Sequence, residues 1–338
     1  MTAYPLASVP SVVVLTTGGT IASRVGDDGV STPGKVAVDL DAIAARLGVL
    51  VTVVDVLRVD SAAMSHTDLD TVSAAVQRAL RPDVTGVVVL HGTDTLEETA
   101  MLVDLVHDDP RPVVFTGAQR TADHPDGDGP HNAELAVAVA ADPDRRGQGV
   151  LVAFGPRVLR ARGVRKAHTT ELDAYTGVPA TPTDSRITLT RNPIAGIRVD
   201  VVALYPGVDG VMIDAARHHG AAGIVMEAMG AGNANADVVA AVRRAVDAGI
   251  VVALSTRVPS GGVVTTYGGG GGGADLVAAG AVSAGETSPA QTRILLCALI
   301  AESKYDVAAR FAAVVATPST RASNQASAPS RTSVRIQA

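Results

Sequence analysis

The residues best suited to chemistry in this 338-residue chain are hydroxyls placed where apolar runs stop. Residues 16–22, TTGGTIA, follow the run VVVL at 12–15, and residues 91–99, HGTDTLEET, follow VVVL at 87–90. Each run reads as a buried strand that breaks into small and hydroxylic residues before a helical pattern begins. Ligands of open α/β sheets bind at the carboxyl ends of strands. Two threonine-bearing ends, one backed by Gly18-Gly19 and one followed by Asp94, therefore predict acyl-group chemistry on a small polar substrate. A threonine hydroxyl is a weak nucleophile at neutral pH and needs a base or a held geometry. Thr20 is the candidate nucleophile, because the glycines before it allow close backbone approach to a ligand. On local sequence alone, Thr20 also fits a helix cap after a glycine turn, and Asp94 fits a cap of the helix that follows.

The elements that must position these residues alternate along the chain. Strand-like apolar runs lie at 12–16, 51–57, 86–90, 112–116, 149–154, 199–205, 222–227 and 250–255. Helical patterns lie near 39–47, 67–80, 95–107, 131–141, 209–219, 236–248, 270–280, 289–302 and 304–316. Such alternation predicts an α/β fold with doubly wound, mostly parallel sheet. In TLEE at 95–98, Thr95 is expected to cap its helix, with Glu97 and Glu98 in the first turn. The polar, Pro- and Gly-containing stretch 185–198 reads as an interdomain connection. We therefore expect a larger N-terminal domain over 1–190, a linker at 191–198 and a smaller α/β domain over 199–317. The Ser/Pro/Ala-rich tail at 318–338 is expected to be disordered.

With these two motifs the chain resembles the bacterial-type L-asparaginases of the asparaginase/glutaminase family. TGGTIA and HGTDTLEETA match the family's two signatures. Collinear matches continue through DSAAM (60–64), TGAQR (116–120), DGP (128–130), GVRKAHTT (163–170), MGAGNAN (229–235) and STRVPSGG (255–262). The resemblance implies a two-domain fold and hydrolysis of L-asparagine to L-aspartate and ammonia, with no cofactor. It implies Thr20 as nucleophile, Thr93 as a second hydroxyl at the scissile amide and Lys166 as their partner. It implies Asp94 at the substrate α-amino group, Ser61 at the α-carboxylate and Gly92 among the substrate contacts. Asn235 is expected to serve a neighbouring subunit's site, in a homotetramer built as a dimer of dimers. The sequence departs from the family pattern in three places. The lid region GDDGVSTPGK at 26–35 has no tyrosine, Ala62 stands where a glutamine is common, and a glycine of the run 268–273 replaces a neighbour-supplied glutamate. Tyr267 immediately precedes that run and is the candidate to replace the missing phenol. A glutaminase-asparaginase would carry the same motifs, and a non-catalytic small-molecule-binding α/β protein is the reading from another class. An amidotransferase component acting on charged tRNA would call for a further RNA-binding domain and a basic face.

Composition bounds the partners. The formal net charge is −6, without a basic run, so nucleic acid is not expected as a partner. Apolar residues make up 47% of the chain, yet no stretch reaches the roughly 20 residues of a membrane helix, and no membrane association is expected. The start MTAYPLASVPSVVVL lacks a positive region before its apolar run, which predicts no signal peptide and a cytoplasmic enzyme. Lone Cys297, in RILLCALIA, reads as a buried, inert thiol. Lysine is scarce, with Lys35, Lys166 and Lys304 alone, so a lysine in a motif stands out. A near P-loop at 29–36 lacks the metal-binding hydroxyl at Val36, and Pro33 removes an N–H. The cluster Asp123, His124, Asp126, Asp128 and His131 sits in a Pro/Gly-rich loop without metal-ligand spacing, and no metal is expected. No G-x-S-x-G elbow occurs.

Overall fold

A computed structural model describes residues 9–25, 31–33, 38–181 and 186–317. Residues 1–8, most of the near P-loop and of the 26–35 lid region, and the 318–338 tail lie outside the described residues.

The N-terminal part opens with β1 (Ser11–Thr16), β2 (Ser23–Val25) and β3 (Ser31–Pro33). It continues through α1 (Leu40–Leu47), β4 (Leu50–Asp55), α2 (His66–Ala79), β5 (Gly86–Leu90) and α3 (Leu96–Val106). Then come β6 (Val113–Thr116), α4 (Gly129–Ala141), β7 (Val150–Phe154), β8 (Arg157–Arg160), β9 (Arg165–Lys166) and β10 (Tyr175–Thr176). Six of these strands form one sheet in the order β4-β1-β5-β6-β7-β8. All neighbours run parallel except β7 and β8.

The valine runs explain the layers. Side chains alternate across a strand, so a run buried on both faces feeds two cores. Val13 and Leu15 of β1, with Val87 and Val89 of β5, pack against Val72 and Val76 of α2 and Ala100 and Val103 of α3. Val12 and Val14, with Val88 and Leu90, pack against Ile43 of α1 and Ala133, Ala136 and Val137 of α4. From β1 the chain crosses to β4 on one side, and from β4 it crosses back over β1 to β5. The reversal falls between β1 and β5, and a doubly wound sheet opens its ligand crevice beyond the carboxyl ends at such a point. Both threonine motifs leave from those two ends.

The C-terminal part comprises β11 (Val199–Ala203), α5 (Val211–His218), β12 (Gly223–Ala228), α6 (Ala236–Asp247) and β13 (Val251–Thr256). It ends with α7 (Gly273–Ala278), β14 (Val282–Ser283), α8 (Pro289–Glu302) and α9 (Val307–Ala316). Its four strands are parallel, in chain order. One face packs α5, α6 and α7, and the other packs α8 and α9. The two parts share a core. Met101, Leu102 and Leu105 of α3 lie in the same apolar cluster as Ile294, Leu295 and Leu296 of α8. Helix α3 is thus wedged between the first sheet and the C-terminal part, which fixes the loop at its N-terminus. Cys297 is buried in this cluster, and burial pushes its thiol up to about 12.

Several local expectations change. Short strands β8, β9 and β10 were not legible, because two to four residues are too few to show a period. The stretch read as a connection is strapped down in its described part. Leu189 N–H donates to Leu105 O at 2.6 Å, and Ile194 N–H to Asp70 Oδ1 at 3.0 Å. Arg186 reaches buried Asp104 at 2.6 Å, and Arg162 reaches the same carboxylate from the other side at 2.5 Å. Burial would push the Asp104 carboxyl up, but the two guanidiniums overrule it and hold it below the ordinary range. Thr95 occupies the cap position of α3 without capping it, and its hydroxyl donates instead to Ser61 O at 2.9 Å.

Candidate active site

Glycine brings the two motifs into contact. Gly18 and Gly19 have φ of +105° and +81°, a region that side-chain-bearing residues rarely adopt. A Cβ on Gly19 would lie 2.3 Å from Gly92 Cα, and a Cβ on Gly92 would lie 2.5 Å from Ser61 Oγ. Main chain from the ends of β1 and β5 therefore touches directly, with the loop after β4 against it. Thr20 follows this contact on one side and Thr93 on the other. Thr20 opens a single 3-10 turn, Thr20–Ala22, in which Ala22 N–H and Ser23 Oγ both donate to Gly19 O. Its side chain is half-buried.

Across the contact, Lys166 Nζ donates to Thr93 Oγ1 at 2.8 Å and to Asp94 Oδ1 at 2.8 Å. Thr93 is buried, whereas the Asp94 side chain is 56% exposed and keeps an open face for a ligand. Asp94 N–H donates to Ser61 Oγ at 3.2 Å. Four of the candidates, Ser61, Thr93, Asp94 and Lys166, thus form one hydrogen-bonded group. Gly92 and the Gly19 contact join Thr20 to it.

Lys166 is held in place by a small hairpin. It pairs directly with Tyr175 in the antiparallel β9–β10 ribbon. Directly opposed residues on such a ribbon project to one face. Both side chains accordingly reach Thr93: Lys166 takes its hydroxyl, and the Tyr175 phenol donates to its main-chain oxygen at 2.5 Å. Tyr175 is buried against Phe154, with ring centroids 4.9 Å apart, and burial pushes its phenol well above the ordinary range. Beneath Lys166, Glu97 Oε2 accepts its main-chain N–H at 2.6 Å. Burial pushes the Glu97 carboxyl up to about 7. His91, at the base of the same loop, is fully buried, and burial holds its imidazole down at about 4, so it stays neutral at pH 7.

Asn235 and Tyr267 lie elsewhere. Asn235 caps α6: its Oδ1 accepts from Val238 N–H at 3.0 Å, and its Nδ2 donates to Val208 O at 2.6 Å. Both polar ends are therefore engaged within its own part of the chain. Tyr267 is 60% exposed in the loop before the glycine run. Asp128, from the acidic loop, accepts from Gln119 N–H, Arg120 N–H and Asn132 Nδ2, which commits its carboxylate to shaping the turn after β6. Glu97 and Tyr175 were not among the sequence candidates. Glu97 read as a helix-start acid, and Tyr175 stands far along the chain from the lid region where the family pattern places a phenol.

Residues 11–194 match the family model for the N-terminal part of asparaginases, and residues 198–310 match that of the glutaminase/asparaginase C-terminal domain. The chain belongs to the asparaginase family. It is 31% identical to the L-asparaginase of Bacillus licheniformis over 316 residues, which is 89% of this chain and 98% of that relative. It is 34% identical to a probable L-asparaginase of Deinococcus radiodurans, over 87% of this chain and 94% of the relative. It is 30% identical to L-asparaginase 2 of Escherichia coli, over 88% of this chain and 90% of the relative. Within the asparaginase family, this chain carries both matched parts on the two sheets described above.

Proposed function

We propose that the chain is an L-asparagine amidohydrolase, releasing L-aspartate and ammonia. The observation that carries this reading is the Lys166 ammonium set between the Thr93 hydroxyl and the half-open Asp94 carboxylate. In this reading Asp94 pairs with the substrate α-ammonium, because a bound cation needs a carboxylate that retains an exposed face. Ser61 orients the α-carboxylate. The side-chain amide then lies over the Gly19–Gly92 contact, between Thr20 and Thr93. Thr20 Oγ attacks the amide carbon, and main-chain N–H groups around Gly92 and Thr93 stabilise the oxyanion. Lys166 and Thr93 move the proton to the departing nitrogen, and water resolves the acyl-enzyme.

L-Glutamine carries the same α-ammonium, α-carboxylate and carboxamide groups one methylene further apart, so it is the competing substrate. With Ala62 in the DSAAM turn, fewer side chains hold the substrate, and KM for asparagine is expected in the upper range for the family. We further propose a cytoplasmic homotetramer, built as a dimer of dimers, in which Tyr267, and Asn235 through the second hydrogen of an Nδ2 that spends one on Val208 O, act toward a neighbouring subunit's site. Among the described residues no helix is long and apolar enough to cross a membrane. The decisive experiment measures ammonia release from L-asparagine, L-glutamine and D-asparagine by the purified protein. Absence of release from either L-amide would overturn the reading, and kcat/KM for the two L-amides sets the order of preference.

A further inference from the structure

The support beneath Lys166 has features that plain scaffolding does not require. Glu97 sits in the first turn of α3, three residues past Asp94. Its carboxylate accepts the main-chain N–H of Lys166 at 2.6 Å, while the Lys166 side chain leaves the same residue to reach Thr93 and Asp94. Glu97 also lines a cavity of about 360 Å³ between the two parts of the chain. The carboxylate therefore touches the strand that carries the proton-handling lysine and borders a space that water can enter. Its own helix is fixed from behind, because Gln291 Nε2 of α8 donates to Glu97 O at 3.1 Å.

We propose that Glu97 is a positioning residue whose ionised carboxylate seats Lys166 against Thr93, so that turnover depends on its charge state. This rests on the reading of Lys166 and Thr93 given above. The titratable groups facing Glu97 are the charged Lys166 and Arg165 on β9 and Glu98 on its own helix, and the neutral Tyr175 phenol on β10. Glu227 of β12 and Arg293 of α8 share the cavity wall, and Arg293 is already paired to Glu98 at 2.6 Å. Arg165 and Lys166 favour the anion, whereas burial and Glu98 favour the acid, which places the carboxyl at about 7. An ionised acceptor makes a shorter, stronger bond to an N–H than a neutral one. As pH falls through about 7 the acid forms, the grip on the Lys166 main chain weakens, and proton transfer at Thr93 slows.

The test is the pH dependence of kcat and KM for E97Q, with K166M in parallel. Gln is isosteric with Glu, keeps an acceptor oxygen and cannot ionise, so E97Q should behave at every pH like the protonated wild type. We expect its kcat to be about five- to tenfold below wild type above pH ~8, and the two to converge below pH ~6. KM should stay within about twofold, because Glu97 touches no substrate-holding side chain. An E97Q profile that superimposes on wild type overturns the proposal, as does a loss confined to KM. E97A, which removes the acceptor, should be slower than E97Q across the range. If E97A does not fold, E97Q alone decides. Full turnover by K166M would overturn the assignment of Lys166, a different result from a silent E97Q beside an inactive K166M.

Discussion

Gly19 is the position at which backbone geometry and catalysis are most tightly joined, and Gly19→Ala tests that link quantitatively. Two costs are separable. The first is conformational: Gly19 has φ +81° and ψ −177°, a region essentially reserved for glycine, at about 1–3 kcal/mol. The second is steric: the new methyl would sit 2.3 Å from Gly92 Cα and 2.5 Å from Gly92 N, both main-chain atoms that cannot rotate away. Gly48 supplies the comparison. It also has positive φ, +64°, as the left-handed cap of α1, but a Cβ there meets nothing within 4 Å. Gly48→Ala should cost only the left-handed strain, about 1–2 kcal/mol. Gly19→Ala adds the displacement of the β1 end from the β5 end, and we expect at least about 3 kcal/mol in total. A kcal/mol corresponds to roughly 2–4 °C for a domain of about 150–250 residues. The two variants should therefore differ in Tm by several degrees under identical conditions. Since Thr20 is the next residue, a shift on the order of 1 Å should also lower kcat for asparagine by about a hundredfold in folded Gly19→Ala. Gly48→Ala should keep wild-type kcat. Equal Tm values for the two variants, or wild-type kcat in Gly19→Ala, would refute the reasoning.

Other predictions concern separate parts of the molecule. Thr20→Ala, Thr93→Val and Lys166→Met should each lower kcat by several orders of magnitude, and a double variant should be little worse than either single, as for groups acting as a unit. A folded Thr20→Ala with near-normal turnover would remove the nucleophile assignment. Asp104→Asn strands the buried guanidiniums of Arg162 and Arg186 and should cost about 3–5 kcal/mol by denaturant unfolding at pH 7. The folded-state pKa of Asp104 is depressed, so its contribution is full above the unfolded value of 3.8 and fades as pH falls through the folded one. The stability gap between wild type and Asp104→Asn should hence close only under acid conditions, and a gap that closes near neutrality would contradict it. Cys297 should resist thiol reagents in the native protein and react on unfolding, as its buried, upward-shifted thiol requires. Tyr267→Phe should lower kcat at unchanged oligomer content if the phenol reaches a neighbour's site, and identical kinetics would return Tyr267 to an ordinary loop residue.

What the sequence determined by itself are features encoded by neighbours along the chain. The VVVL runs announce buried strands because β-branched residues facing two cores leave no polar position. The breaks after them mark the strand ends where Thr20, Thr93 and Asp94 stand, and Gly18-Gly19 announces unusual backbone before any coordinate is known. Element order and approximate limits follow from the same local patterns. The six-stranded order could not be read this way, because which strand lies beside β1 depends on how helices cross the sheet. Only the folded chain brings Lys166 to Thr93, over 73 positions of sequence separation, and it does so through a hairpin of two two-residue strands with no readable period. The same holds for Glu97. Its place in a helix start explains an acid there, but its raised pKa comes from burial, which outweighs the Lys166 N–H that β9 donates to it. Thr95 shows the converse: the local rule makes its hydroxyl a cap acceptor, yet in the fold that hydroxyl donates to Ser61 O, 34 residues away, and caps nothing. Local pattern sets what a segment can be, whereas desolvation and long-range hydrogen bonds, which exist only after packing, decide what its polar atoms do.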